Sequence, residues 1–336
     1  DFRYPMYAEG LRRSFDMVAN LKLPILVTEN GVADDDDDMR PEHIRRHLWI
    51  TANAISDGMD IRGFYHWSLM DNFEWAEGYT QRFGLYHVNF ETQERTLKDS
   101  GQLYADVVKD NTLPQVVILA GGLGTRLGEI SESIPKSLIQ VNAKPMLTHI
   151  LDWALGQGCR KALILTGHLG EMFDGFTHRG MSLTFHQEPE PLGTGGALWN
   201  AKHLLDDEFI LLWGDDFHPI DYNSIVSEHR QKAAPLTMTV TESHESMNLH
   251  HQDGQVIVYD KANPKANFNG YEAGTSIVKK SVIETHGREG KWSWEETIYT
   301  ALAGKMNAYV DNTAFWDMGT PERLSRFEDF LNQGGP

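Results

Sequence analysis

The sequence predicts an α/β protein built from two segments, residues 1–112 and residues 113–336, the second with an open, mostly parallel sheet. Apolar runs alternate with stretches of helical spacing, which is typical of parallel strands joined by helices. Leu113-Pro114 marks the boundary, because proline disfavours helix in the residue before it. Glycines or carboxylates follow several strands, where an open sheet places its ligands.

The composition limits the classes of function. The 336 residues are 40% hydrophobic and 23% charged, which is ordinary for a soluble globular protein. The net charge of −18 disfavours binding to nucleic acid or to an anionic membrane. No apolar run reaches the about 18 residues of a membrane span, and the chain starts without Met or a signal peptide, like an internal start. Cys159 is the only cysteine, so we expect a cytoplasmic protein without intramolecular disulfides, and homo-oligomerisation stays open.

The first segment reads as strand, helix, strand. Residues 23–28 form an apolar strand that ends before Glu29, and residues 41–56 have apolar side chains at helical spacing. Residues 61–69 read as the next strand. This order, with chemically capable residues at the strand ends, is typical of a β/α unit.

The second segment alternates strands and helices, which predicts the open sheet with helices on both faces. Strands are expected at residues 116–120, 162–166, 183–186, 210–213 and 236–241, and helices at 145–157, 194–205 and 222–232. Two further strands (255–260 and 271–279), a helix near 294–303 and a final helix at 321–332 complete it.

A glycine-rich loop follows the first of these strands. Glycines 121, 122 and 124 let the backbone approach a ligand, and Arg126 and Lys136 supply two cations suited to a polyphosphate. The loop lacks the Gly-Lys-Ser/Thr of a Walker A motif. It also lacks the third glycine of a dinucleotide fingerprint, since position 127 is Leu.

The loop matches the sugar-nucleotidyltransferase signature G-G-x-G-T-R-L followed by P-K, and the alternative is an ordinary tight βα loop. The matching residues are Gly121, Gly122, Gly124, Thr125, Arg126, Leu127, Pro135 and Lys136. Residues 114–332 thus resemble the enzymes that join a sugar 1-phosphate to an NTP, which implies a Rossmann-like sheet. The resemblance implies catalytic roles for Arg126 and Lys136, and nucleotide contacts from Leu119, Ala120, Gly121, Gly122, Gly124 and Thr125.

Two carboxylates suit a metal ion beside this loop. Asp215 follows an apolar strand, where an open sheet places its ligand, and Asp216 is the alternative or a solvated neighbour. The stretch around Asp317 resembles the family's late Asp-x-Gly-Thr-Pro motif. A turn before the last helix is the other reading, although Thr320 and Pro321 can start that helix alone. The resemblance implies that Asp215 and Asp317 bind Mg²⁺.

The remaining matches concern the base and the sugar. The resemblance implies a base contact from Gln187 and a base and sugar pocket around Gly193 and Thr194, where a plain helix start is the compatible alternative. It also implies sugar contacts from three downstream residues: Lys261, whose motif fits loosely enough that a solvated strand end is nearly as good, Glu272 and Gly274.

The resemblance implies the reaction. A sugar 1-phosphate oxygen attacks the α-phosphorus of an NTP and pyrophosphate leaves, so catalysis is mostly positioning and charge neutralisation. The compact C-terminus is similar to short guanylyltransferases of manno-heptose or mannose 1-phosphate, which favours GTP. Thymidylyl, uridylyl and cytidylyl transfer stay open, as does a non-catalytic sensor, against which the complete set of carboxylates and cations counts.

The first segment resembles family 1 β-glycosidases through Thr28-Glu29-Asn30-Gly31 and the run at 67–75, WSLMDNFEW. The resemblance implies that Glu29 is the nucleophile and that Trp67, Glu74 and Trp75 hold the sugar. It also implies the last two βα units of a TIM barrel, which needs about 250 residues. No Asn-Glu-Pro acid/base motif is present, and retaining glycosidases need two carboxylates. A β-glycosidase fragment, inactive alone, is therefore the alternative function.

Overall fold

The structure, a computed structural model, describes residues 6–110, 113–122 and 133–333. It divides into two compact units, Asp1–Thr112 and Leu113–Pro336. No helix in the described ranges is long and apolar enough to cross a membrane.

The first unit contains the predicted strand, helix and strand. Its elements are α1 (Glu9–Val18), β1 (Ile25–Asn30), α2 (Arg40–Ser56), β2 (Ile61–His66), β3 (Tyr86–Val88), β4 (Arg95–Leu97) and α3 (Asp99–Asp110). Strands β1 and β2 pair in parallel, with Val27 opposite Phe64. Pro41 lies in the first turn of α2, where its missing N–H costs no helix hydrogen bond.

The core of the first unit is small. Its fully buried apolar residues are Ala8, Phe15, Val27, Ile50 and Ala54. In the described part of the unit, β1 and β2 pair only with each other. Large apolar side chains on and after these strands stay exposed, among them Leu26 at 54% and Tyr65 at 59%. The unit therefore presents apolar surface and free strand edges, as two units cut from a barrel would.

The second unit is built on a nine-stranded sheet. Its strands are β5 (Gln115–Leu119), β6 (Gln140–Val141), β7 (Lys144–Pro145), β8 (Lys161–Thr166), β9 (Ser182–Gln187), β10 (Glu208–Trp213), β11 (Asp216–Phe217), β12 (Leu236–Thr241), β13 (Leu249–Gln252), β14 (Gln255–Tyr259), β15 (Tyr271–Lys279), β16 (Asn307–Val310) and β17 (Trp316–Asp317). Its helices are α4 (Met146–Gln157), α5 (Gly193–Asn200), α6 (Tyr222–Lys232), α7 (Lys280–His286) and α8 (Pro321–Asn332).

The large sheet has the order β13-β14-β16-β12-β15-β10-β5-β8-β9. The four strands β9, β8, β5 and β10 run parallel, and the antiparallel β15 joins them to the rest. The chain moves outward from β5 to β9 and then returns to β10 on the other side of β5. This reversal opens a crevice at the carboxyl ends of β5 and β10, where open α/β sheets bind their ligands.

Alternate residues of the central strands pack into two cores, one on each sheet face. Ile118, Ile164 and Ile210 join one core, and Val117, Leu163 and Leu211 join the other. All five residues of β5 are buried, as expected of a parallel strand covered on both faces. The predicted fold class is thereby confirmed, in an α/β unit whose sheet is parallel beside the crevice and mixed beyond it.

Two predicted helices differ in detail. The helix expected over residues 194–205 stops at Asn200 and continues as a separate 3₁₀ turn, Lys202–Leu204. The helix expected near residues 294–303 is wound as a π-helix over Glu295–Tyr299. Period-based reasoning assumes a regular α-helix and therefore does not detect either change.

Candidate active site

A cavity of about 290 Å³ lies at the crevice beside the ends of β5 and β10. The Gly214 N–H donates to the Leu119 carbonyl at 2.9 Å and so ties the two strand ends together. Eight predicted site residues line this cavity: Leu119, Ala120, Gly121, Gly122, Lys136, Gly193, Thr194 and Asp215. Gly124, Thr125 and Arg126 lie outside the described residues.

Lys136 and Asp215 form an ion pair on the cavity wall. Lys136 opens a 3₁₀ turn directly after Pro135, and Asp215 follows β10. The Lys136 Nζ lies 2.8 Å from Asp215 Oδ2, and the two side chains are 12% and 30% exposed. Because the pair is mostly shielded yet borders open space, both charges remain within reach of a ligand.

Asp317 joins this site through backbone pairing. Strands β11 and β17 place Asp216 opposite Asp317, and the Met318 N–H donates to the Asp215 carbonyl at 3.0 Å. The Thr320 hydroxyl, and not Asp317, accepts the capping N–H of α8 from Arg323 at 3.4 Å. The turn-forming alternative for Asp317 is therefore unnecessary.

Negative charge accumulates at this corner. Burial, with the charges of Asp215, Asp317 and Glu272, holds the pKa of Asp216 well above its usual range, while Lys136 opposes the shift. Asp216 is therefore not the solvated neighbour considered from the sequence. Carboxylate oxygens gathered at this density suit a hard divalent cation, which would relieve their repulsion.

Gln187 lies where a base contact was not expected. Its side-chain amide donates to the Gly167 carbonyl at 3.3 Å, and an added Cβ on Gly170 would lie 2.6 Å from it. Gln187 is not among the residues that line the cavity, whereas Glu188 is. Successive strand residues point to opposite faces, so the neighbour of the predicted residue reaches the crevice.

Glu188 was missed by the sequence reasoning. Its Oε2 accepts the Leu192 N–H at 3.0 Å. Burial raises the pKa of Glu188, and the Leu192 N–H opposes that shift. Ideal Cβ atoms on Gly121 and Gly167 would lie 3.1 and 2.5 Å from Oε1, so two close backbone approaches shape its position.

The glycines at the start of α5 accommodate a tryptophan. A Cβ on Gly195 would lie 2.1 Å from the Trp292 ring, and the Gly195 N–H donates to the Trp292 carbonyl at 3.1 Å. The Thr194 hydroxyl accepts the Trp294 N–H at 2.9 Å. This docking places Lys291 on the cavity wall, a second cation that no local pattern revealed.

The predicted sugar residues form a separate group. Glu272 is buried and accepts the Gly274 N–H at 3.1 Å. Burial and the nearby Glu295 raise the pKa of Glu272 to about 7, against Lys261, the Gly274 N–H and Trp213. The ammonium of Lys261 pairs with Glu295 at 2.7 Å, so this lysine is not simply solvated. Glu295, on the π-helix, was not foreseen.

Gly274 approaches the carboxylates. Its φ of +78° lies in the left-handed region, which favours glycine. A Cβ there would lie 3.1 Å from Asp216 Oδ2. The predicted close approach at Gly274 is thus made by an aspartate side chain in this structure.

In the first unit, only part of the predicted site is assembled among the described residues. Glu29 is exposed near the end of β1, and the Trp67 indole N–H donates to Glu74 Oε1 at 3.2 Å. Trp75 remains 86% exposed. The first unit therefore holds Trp67 and Glu74 together but leaves Trp75 in solvent.

Comparison with known proteins agrees with this division. Residues 1–113 match Glycosyl hydrolase family 1, and residues 115–250 match the Nucleotidyl transferase family. A β-galactosidase of Pyrococcus woesei is 41% identical over 112 residues, which is 33% of this chain and 22% of that protein. A 1,4-β-D-glucan glucohydrolase of Thermotoga neapolitana is 45% identical over 98 residues, 26% of this chain and 22% of that protein. The chain thus spans about a fifth of these relatives' length.

Solved structures resemble the second unit. HddC from Yersinia pseudotuberculosis is 27% identical with a TM-score of 0.57, over 65% of this chain and all of that one. A UDP-glucose pyrophosphorylase from Acinetobacter baumannii has a TM-score of 0.57 at 15% identity, over 66% of this chain and 95% of that one, which shows the fold alone. The second unit is a nucleotidyltransferase domain, and the first is a fragment of a family 1 glycosyl hydrolase.

Proposed function

We propose that residues 113–336 transfer a nucleotidyl group from an NTP to a sugar 1-phosphate, releasing pyrophosphate and an NDP-sugar. One observation carries the proposal. The cavity between β5 and β10 brings glycine backbone, the Lys136–Asp215 pair and, through β11 and β17, Asp317 to one crevice. A pocket with fixed cations and carboxylates suits a polyphosphate and its counter-ion.

The chemistry needs little from the protein beyond positioning. An oxygen of the sugar phosphate attacks the α-phosphorus of the NTP, and the bond from that phosphorus to the bridging oxygen breaks. Pyrophosphate leaves with the electron pair. The attacking oxygen is already anionic, so no strong general base is required. Lys136 and Lys291 are placed to neutralise phosphate charge, and we assign the same role to Arg126.

The residues present fit Mg²⁺. Asp215 and Asp317 would hold it, and Asp216 borders them. The ion supplies additional neutralisation of phosphate charge when bound. With a cation between the carboxylates, Lys136 would be released from Asp215 toward the NTP.

Within this class, we favour GTP with manno-heptose or mannose 1-phosphate. The support is similarity to HddC, which was also solved in complex with GMP-PN and is 26% identical in that form. For the base, Glu188 replaces Gln187 as the proposed contact, because Glu188 lines the cavity. Lys261, Glu272 and Gly274 remain the proposed sugar side, now with Glu295 as the partner of Lys261.

A pyrophosphate-release assay tests this function. The full chain is incubated with Mg²⁺, each of the common NTPs in turn and a panel of sugar 1-phosphates. We expect release only when both substrates are present, and fastest with GTP. Release that needs NTP but no sugar 1-phosphate would indicate hydrolysis and contradict the proposal. Silence across the whole panel would also contradict it.

For the first unit we propose no glycosidase activity in this chain alone. Glu29 and the Trp67–Glu74 contact are retained, which keeps the alternative testable. Hydrolysis of an aryl β-glucoside by the full chain, abolished by Glu29→Gln, would overturn the proposal.

A further inference from the structure

Three aromatic rings stack at the edge of the second unit's sheet. His244 and Tyr271 have ring centroids 3.7 Å apart at an interplanar angle of 17°. Phe315 lies 5.8 Å from Tyr271 at 13° and 5.8 Å from His244 at 25°. The rings come from the loop after β12, the first residue of β15 and the segment before β17. We refer to His244, Tyr271 and Phe315 as the aromatic wall.

The aromatic wall lies between the two charged groups of the site. Phe315 is two residues from Asp317, and Tyr271 directly precedes Glu272. Burial raises the pKa of Tyr271; the charge of Lys261 opposes the shift, and Glu272, Asp216 and Asp317 reinforce it. Tyr271 therefore senses both the carboxylates proposed to hold metal and the residues proposed to hold sugar.

Backbone contacts fix the wall in place. The Gly270 carbonyl accepts the N–H groups of Asn248 and Leu249 at 3.0 and 3.1 Å, directly before Tyr271. Directly after it, the Glu272 N–H donates to Asn248 Oδ1 at 3.0 Å. The ring of Tyr271 is therefore carried by a strand start that is anchored on both sides.

The loop that carries His244 is anchored too. The Glu242 N–H donates to Asn312 Oδ1 at 2.9 Å, which ties this loop to the segment leading to Phe315. The Ser246 N–H donates to His244 Nδ1 at 3.0 Å. All three rings are half-buried, so they keep open surface while being held rigidly, and a ligand would bind without ordering them first.

We propose that the aromatic wall is the subsite for the sugar ring of the acceptor, packing against the C–H face of a pyranose while the Tyr271 hydroxyl bonds a sugar hydroxyl. This rests on the proposed function. An aromatic ring with a polar edge matches a sugar, which has apolar C–H faces and a polar rim. A nucleobase would also stack on such rings, but none of the three lines the cavity between β5 and β10. The wall would thus select a sugar 1-phosphate over a phosphate without a ring.

Binding and turnover of the full chain test the proposal together. Binding of mannose 1-phosphate is followed by saturation-transfer NMR, which needs no turnover, and KM is measured separately for the sugar phosphate and for GTP. The variants are Tyr271→Ala, Tyr271→Phe and His244→Ala. His186→Ala is the control, because His186 also bonds a nearby side chain, Asn200 at 2.6 Å, but on β9 at the far edge of the sheet.

We expect Tyr271→Ala to raise the KM for the sugar phosphate about tenfold and to weaken saturation transfer to the ring protons, with the KM for GTP unchanged. Tyr271→Phe should retain most of the binding, since it keeps the ring. If Tyr271→Ala lowers thermal stability, His244→Ala gives the same comparison with β15 intact. A raised KM for GTP alone would make the wall a base contact and overturn the proposal, as would equal effects in His186→Ala.

Failure of the proposed function gives a different result. A chain that binds the sugar phosphate through Tyr271 without releasing pyrophosphate would contradict nucleotidyl transfer and support the wall. A chain that turns over GTP and sugar phosphate with unchanged constants in the Tyr271 variants would support the transfer and contradict the wall. Absence of both binding and turnover would contradict both.

Discussion

The two units differ in how their parallel strands are completed. In the second unit, β5 has a parallel neighbour on either side and helices over both faces, and Asp215 at the crevice meets Lys136 at 2.8 Å. In the first unit, β1 pairs with β2 alone among the described strands, and Glu29 near its end is exposed. Both residues lie near the carboxyl end of a parallel strand. Neighbouring elements, more than the residue itself, make such a position a site.

Burial of the same residue type shows the same contrast. Trp294 is completely buried in the second unit, whereas Trp75 of the first is 86% exposed. Trp294→Ala should lower the free energy of unfolding of the second unit by about 3–5 kcal/mol through the cavity it leaves. Trp75→Ala should change stability by less than about 0.5 kcal/mol. Denaturant unfolding of each variant checks this, and equal effects would remove the distinction between the units.

Charge at the crevice should matter where charge elsewhere does not. Lys136→Met removes the cation beside Asp215 and should lower kcat for nucleotidyl transfer by about 10²–10³. Lys161→Met is the matched control, because Lys161 also pairs with an aspartate at 2.8 Å but is 61% exposed. Its rate should stay within about twofold of the parent. Similar losses in both variants would argue against a specific role for Lys136.

Two helical glycines separate packing from flexibility. Gly195→Ala would press its Cβ into the Trp292 ring, and it should cost about 1–3 kcal/mol of stability and weaken nucleotide binding. Gly156→Ala in α4 meets nothing within 4 Å and should stabilise the protein by about 0.5–1 kcal/mol. Thermal unfolding of both variants checks the opposite signs. A stable, fully active Gly195→Ala would contradict the docking of Trp292.

The first unit should loosen in acid. Burial, with the charges of His47, His66 and Arg40, lowers the pKa of His43 to about 3, and burial above all lowers that of His66 to about 4. A lowered pKa in the folded state means full stability above about pH 6.5, lost as the pH falls toward these values. Near pH 5.5 each group should cost about 1 kcal/mol.

Hydrogen exchange at pH 7.0 and 5.5, after correction for intrinsic rates, measures this effect. His218 and His229 of the second unit also have pKa values lowered to about 4, chiefly by burial. With its larger core the second unit should stay protected, while α2 exchanges faster. Slower exchange in α2 at pH 5.5 would contradict the prediction, and His43→Gln should reduce the pH dependence.

The sequence predicted elements wherever a regular period matched burial. Strands over residues 236–241 and 271–279 and the helix over 321–332 have the predicted bounds. Asp215 and Asp317 come from strand ends and a motif, so the sequence indicated them too. Their meeting depends on the pairing of β11 with β17, two-residue strands that no local pattern predicts.

The residues that were missed depend on contacts between distant segments. Lys291 reaches the cavity because Trp292 docks on Gly195, nearly 100 positions earlier. Glu295 meets Lys261 from a π-helix, which periodicity cannot distinguish from an α-helix. Glu188 was missed by one position, because the resemblance indicated Gln187 and the strand alternation favoured its neighbour.

The central claim is that nucleotidyl transfer belongs to the second unit alone. The most direct measurement compares pyrophosphate release from GTP and mannose or manno-heptose 1-phosphate by the full chain, by Asp215→Asn and by Glu29→Gln. We predict that Asp215→Asn lowers kcat at least about a hundredfold and that Glu29→Gln leaves it unchanged. Release that survives in Asp215→Asn, or that is lost in Glu29→Gln, would contradict the claim.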